Sequence, residues 1–247
     1  LTGIGGLITA SMILSFYAIV SGWMLGFAAS YPLSAAGMAS TGDWLVTFGS
    51  PRNLTLMLIF MVLTMAVVLG GVEHGIERWS RRLMPLLIAT LIALALYVLT
   101  LEGALTGLKV YLLPDFEKVL SGDLLIDALG SAFFSLSLGV GTMLIYGSYL
   151  SDTENVPSVG AQVALVDVGI AVLAGFLILP AMYVADARGV AIFNDAGGLL
   201  SEDTLIFAVL PALFETMEGT GVWLATAFFA LMSIAALTSS ISMLEVP

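Results

Sequence analysis

The chain has 247 residues, of which 60% are hydrophobic and 10% charged, with a formal net charge of −11 and no cysteine; its mean hydropathy is +1.08. That balance excludes an ordinary soluble globular domain and points to a polytopic, all-α membrane protein. The missing cysteines exclude disulfides and thiolate metal sites, and the acidic balance argues against a nucleic-acid partner.

The chain opens Leu1-Thr2-Gly3 without a basic n-region, so no signal peptide is visible. It ends inside an apolar run at Leu244-Glu245-Val246-Pro247, and the expectation is a piece of a longer protein. Residues 3–32 read as the first span, with Tyr17, Trp23 and the hydroxyls of Ser11, Ser15 and Ser21 inside it. Small hydroxyl residues in a span usually pack against another helix. Residues 33–52 are polar and glycine-rich and predict a loop with a short interfacial helix.

Residues 53–71 read as the second span. After it, Val72 to Arg82 carries Arg78, Arg81 and Arg82, three of the seven basic residues, in eleven positions. A short basic loop stays in the cytoplasm, so this one is placed inside and the longer loops outside. The lone histidine, His74, reads as solvated there rather than as a ligand. Residues 83–101 read as the third span, with Pro85 in its first turn, and residues 102–123 as an outer loop.

Residues 124–150 read as a fourth span, broken near 138–142. Ser135 and Ser137 precede two glycines, Gly139 and Gly141, each of which weakens a helix by roughly 1 kcal/mol relative to alanine. In hydrocarbon a broken helix is tolerated only where it is buried in protein or lines a cavity. Two half-helices meeting at mid-membrane are the material of a transporter site; the same small residues also serve as a packing motif. A short inner loop, 151–157, ends in a helix start.

Residues 159–184 read as the fifth span and hold one carboxylate, Asp167. A charge at mid-span costs on the order of 2.5–3.5 kcal/mol and marks a functional site by default; the alternatives are a place near the interface or a protonated side chain. Residues 185–218 read as an outer lid loop of two short helices, bent at Pro211. Residues 219–247 read as the last span, with Thr238-Ser239-Ser240 at its middle. Hydroxyl runs supply hard oxygen ligands, and they also back-bond to their own helix. The polar groups at mid-depth should converge inward on one cavity.

At this point six motifs stand in order: Ser15-Phe16-Tyr17 to Trp23-Met24-Leu25-Gly26-Phe27; Gly75-Ile76-Glu77-Arg78 with Met84-Pro85; Pro114-Asp115-Phe116-Glu117-Lys118; Phe133 to Gly141; Tyr146-Gly147-Ser148-Tyr149; and Leu237-Thr238-Ser239-Ser240. In them the chain resembles the neurotransmitter:sodium symporter family, in its bacterial amino-acid branch. The resemblance implies part of a five-plus-five inverted-repeat transporter fold, from about the third to the eighth membrane helix. It implies sodium-coupled symport of a neutral, hydrophobic or aromatic amino acid by alternating access in a bacterial inner membrane, with lipid and the remaining helices as partners and sodium ions as cofactors. A transporter-like sensor or scaffold is the alternative. An enzyme is not expected, because there is no cysteine, the one histidine stands in a loop and no paired carboxylate stands in the spans.

Carried over by position, the resemblance assigns substrate contacts to Ile13, Tyr17, Phe134, Ser137, Leu138, Gly139, Val140 and Met243. It assigns a first sodium site to Ser135 and Asp167 and a second to Ala235 (through its carbonyl), Thr238 and Ser239. Asp167 departs from the asparagine common at its position. The departure implies a carboxylate that replaces the chloride needed by animal members, and that takes up a proton on the return step. Val140 is smaller than the aromatic residue of some relatives, which implies room for a bulkier substrate.

Overall fold

A computed structural model describes residues 2–69, 72–113, 121–151, 153–194 and 205–244, with side chains undescribed at Thr2, 72–82 and Glu218. The described residues form ten helices in chain order: α1 (Thr2–Ala35), α2 (Ala39–Val46), α3 (Ser50–Leu69), α4 (Val72–Val98), α5 (Ala104–Leu112), α6 (Gly122–Ser135), α7 (Thr142–Ser148), α8 (Val156–Ala187), α9 (Leu205–Glu215) and α10 (Glu218–Leu244). By length and composition, four of them can cross a membrane: Gly3–Ala35, Ser50–Leu69, Val156–Ala187 and Gly219–Leu244.

The chain divides into two compact units. The first combines Leu1–Leu87, Phe133–Val159 and Val222–Pro247. Here α1 lies against α2 and α3. Its approach to α3 depends on Gly22, where a Cβ would stand 2.8 Å from the Leu56 carbonyl carbon. Ala18, Phe60 and Ala236 form a buried core, with Tyr17, Met24, Met57 and Leu237 packed around it. At the start of α3 the Arg52 side chain is 2% exposed. Its Nε donates to the Leu45 carbonyl (2.8 Å) and its Nη1 to Asn53 Oδ1 (3.1 Å). Trp23 Nε1 donates to the same Asn53 oxygen (2.9 Å), and the guanidinium sits 4.7 Å from the Phe48 ring centroid. One arginine therefore ties α2 to α3 beneath an aromatic cover.

The second unit combines Ile88–Ala132 and Gly160–Gly221. There α5 meets α8 at Gly107, where a Cβ would lie 2.5 Å from the Leu179 carbonyl oxygen, and Tyr111 Oη donates to the Val172 carbonyl (3.2 Å). Tyr97 Oη pairs with Thr216 Oγ1 (3.0 Å) just past α9.

Several boundaries differ from the sequence expectation. The basic stretch 72–82 is helical, because α4 begins at Val72, so Pro85 lies inside a helix rather than in a first turn. The expected outer loop 102–123 contains α5. Of the expected lid, α9 is described and runs through Pro211, while residues 195–204 and the motif at 114–118 lie outside the described residues. The expected fourth span is two half-helices, α6 and α7, with the break at 136–141.

Candidate functional site

The break is built by a specific helix end. Ser137 N–H donates to the Phe134 carbonyl (3.1 Å) and Leu138 N–H to the Phe133 carbonyl (2.9 Å). Those paired closures are a Schellman motif, which needs a left-handed residue just past the helix. The same pair of bonds ends α1 at Gly37 (φ 86°) and α8 at Gly189 (φ 84°). At the break the left-handed position is Ser137, with φ 52°. A non-glycine residue there costs roughly 1–2 kcal/mol, and such strain gathers at functional sites. Gly139 (φ 82°) and Gly141 (φ 95°) then turn the chain into α7.

A cavity of about 470 Å³ opens beside this break, and all its lining residues belong to the first unit. Helix α1 presents Ala10, Ile13 and Tyr17, which share one face at spacings of three and four. The end of α6 and the break present Phe133, Phe134, Ser135, Ser137, Leu138 and Val140. Helix α7 adds Thr142 and Tyr146, and α10 adds Ser239, Ser242 and Met243. The wall is mostly apolar, with hydroxyls from four helices and the break interspersed. Tyr17 is within hydrogen-bonding reach of the Ser239 side chain, and Tyr146 Oη pairs with Ser242 Oγ.

Seven of the eight expected substrate residues line this cavity; Gly139 does not, and serves the turn instead. Ser135 and Ser239 line it as well, while Ala235 and Thr238 lie on the turn of α10 that precedes Ser239. Thr238 Oγ1 and Ser239 Oγ both donate to the Ala235 carbonyl, at 2.7 and 3.3 Å. Three hard oxygens are thus gathered within one turn, and each hydroxyl keeps lone pairs for a cation. Asp167 is half-buried on α8 and belongs to the second unit. Among the described residues no cluster of three or more His, Asp or Glu side chains stands ready for a metal.

The sequence reading missed Ala10, Phe133, Thr142, Tyr146 and Ser242 as lining residues. Helical spacing carries the signal for two of them: Ala10 is three residues before Ile13, and Ser242 three after Ser239.

Known proteins agree with this architecture. The profile described as Sodium:neurotransmitter symporter family matches residues 37–247. An uncharacterized sodium-dependent transporter, YhdH, of Bacillus subtilis is 39% identical over all of this chain and 53% of its own length. A second, from Haemophilus influenzae, is 34% identical over 99% of this chain and 53% of its own. The crystal structure of MhsT in complex with L-phenylalanine superposes with a TM-score of 0.82 at 34% identity, covering 100% of this chain and 54% of that one. The chain therefore spans about half the length of these relatives. On the family match, the relatives and the shared all-helical fold, the chain belongs to the sodium:neurotransmitter symporter family.

Proposed function

We propose that the polypeptide carrying these helices is a sodium-coupled symporter of a neutral, hydrophobic or aromatic amino acid, working by alternating access in a bacterial inner membrane. The observation that carries this is the broken helix itself: an apolar cavity ringed by hydroxyls, at a point where the backbone leaves its own hydrogen bonding. An amino acid needs both parts, polar groups for its carboxylate and ammonium and an apolar wall for its side chain. The Tyr17 hydroxyl serves the carboxylate, and the carbonyls at the end of α6 serve the ammonium and a sodium ion. Ile13, Val140 and Met243 form the side-chain wall. The phenylalanine bound to MhsT supports an amino acid of this kind.

Sodium at the Ala235–Thr238–Ser239 turn, and at a first site that uses the Ser135 hydroxyl, biases the bundle toward one facing state. It does so only through a difference in affinity for the two states. The broad apolar surface, including Leu69 and Leu144, is covered by lipid and by the remaining helices of the polypeptide.

The test is equilibrium binding of a panel of neutral amino acids to the full-length polypeptide, in sodium and in potassium. Binding of one or a few members only in sodium is expected. Binding equal in both salts, or none from folded protein, overturns the reading. For Asp167, the substitution Asp167→Asn weakens sodium-coupled uptake and chloride restores part of it; uptake indifferent to both removes that role.

A further inference from the structure

Hydroxyls in this chain have an ordinary way to satisfy themselves: they donate to the carbonyl one turn back in their own helix. Ser11, Ser15, Thr64 and Ser233 all do so. Thr142 does not. It is the first residue of α7, so the residue four positions back, Leu138, lies in the break rather than in the helix. Its side chain is 4% exposed, and its Oγ1 has no hydrogen-bond partner. Buried hydroxyls without a partner are uncommon, and leaving one so is costly. Ser21 and Ser240 are the other such hydroxyls among the described residues, and neither lines the cavity; Thr142 does.

Its surroundings say what it can meet. One turn on, at the spacing that shares a helix face, Tyr146 also lines the cavity and pairs with Ser242 of α10. Ser242 is followed directly by Met243, and Thr142 lies two residues after Val140, both assigned above to the side-chain wall. A polar patch therefore adjoins the apolar part of the cavity, held to α10 through the Ser242 hydroxyl, which also donates to the Thr238 carbonyl (3.0 Å).

Resting on the amino-acid reading above, we propose that Thr142 Oγ1 is a specificity-determining group that hydrogen-bonds a polar atom on the substrate's side chain. The substrate class is then narrowed to large neutral amino acids with a hydrogen-bonding atom on the ring, a phenol or an indole, over those with none. A site built to bond such a group discriminates strongly against the analogue lacking it, because its own polar atom is then left unpaired.

The experiment measures affinities for tyrosine, tryptophan and phenylalanine in sodium on the full-length polypeptide, its Thr142→Val variant and its Thr142→Ser variant. The readout is the ratio of tyrosine or tryptophan affinity to phenylalanine affinity within one preparation, which a change in folded fraction does not move. The wild type favours one ring-polar amino acid by about tenfold or more, the cost of leaving one buried hydroxyl unpaired, Thr142→Val brings that ratio to near one, and Thr142→Ser keeps most of it. A wild-type ratio near one, or a ratio unchanged in Thr142→Val, overturns the proposal while leaving the amino-acid reading intact. Absence of binding by all three, and by the rest of the neutral panel, overturns both.

Discussion

At the scale of single residues, the site shows its demands where local preference is violated. Ser137 occupies a left-handed helix end that the chain gives to glycine at Gly37 and Gly189. The exception falls at the cavity, where the Ser137 side chain is part of the wall. Stability and function therefore pull apart at this position. Ser137→Gly relieves the left-handed strain and stabilises the fold by about 1 kcal/mol, while removing a lining hydroxyl and weakening substrate binding. Thermal unfolding and binding on the same preparation check the two signs; a variant both less stable and unchanged in binding contradicts the account. Tyr17 makes the complementary case. Tyr17→Phe keeps the ring packed against Ala18, Phe60 and Ala236 but deletes the hydroxyl that we propose meets the substrate carboxylate. A hydrogen bond to a charged group is worth about 1.5–3 kcal/mol, so affinity falls on the order of 10- to 100-fold with little change in melting temperature. Affinity within threefold of wild type would remove the carboxylate role.

At the scale of elements, the close crossing of α1 and α3 fixes the wall that carries Ile13 and Tyr17. Gly22 permits that crossing, since a Cβ would fall 2.8 and 2.9 Å from the backbone of Leu56 and Met57. Backbone cannot step aside as a side-chain tip can. Gly22→Ala is therefore expected to destabilise by about 1–3 kcal/mol through overpacking, read as a lowered denaturation midpoint, whereas Gly3→Ala, with nothing within 4 Å, is neutral. Equal effects at the two positions would refute the crossing as drawn. The break between α6 and α7 was legible because Gly139 and Gly141 interrupt an apolar run. Its start at residue 136 was not, because nothing in the composition of Leu136-Ser137 announces a left-handed serine. The basic stretch before Leu83 misled for a different reason. Hydropathy reports which surfaces tolerate lipid, not which backbone is helical, so a charged opening to α4 reads as a loop. Likewise α5 was hidden by its shortness, nine residues whose docking on α8 depends on Gly107 and Tyr111. Seven of the eight substrate residues expected from the resemblance line the cavity, whereas the unexpected lining residues Thr142 and Tyr146 depend on how α7 is rotated after the break, which no single-sequence pattern sets.

At the scale of the whole molecule, coupling requires that ion and substrate stabilise one arrangement of the same helices. The break stands at the junction of these demands: its hydroxyls line the cavity together with Ser239, and Ser239 shares the Ala235 carbonyl with Thr238. An ion on that turn therefore touches the same α10 segment that meets α1 through Tyr17 and Ser239. Binding to the native state alone stabilises it by RT ln(1 + [L]/Kd), about 2.7 kcal/mol at one hundred times the dissociation constant. In the full-length polypeptide, sodium is accordingly expected to raise the melting temperature by several degrees at saturation, and potassium at equal ionic strength is not. Thr238→Val removes one of the hydroxyls proposed above as sodium ligands while keeping the side chain's shape. Its sodium titration of melting temperature should shift to higher concentration by about tenfold or more, since a lost bond to a charged partner is worth about 1.5–3 kcal/mol, and saturating sodium should still recover the shift. Ser21→Ala, distant in sequence and absent from the cavity wall, should leave the titration where it was. If sodium and potassium raise the melting temperature alike, the ion acts through general screening and the α10 turn is not its site. If only Thr238→Val moves the midpoint, the turn is an ion site and the cavity beside it is the place where ion and amino acid are read together.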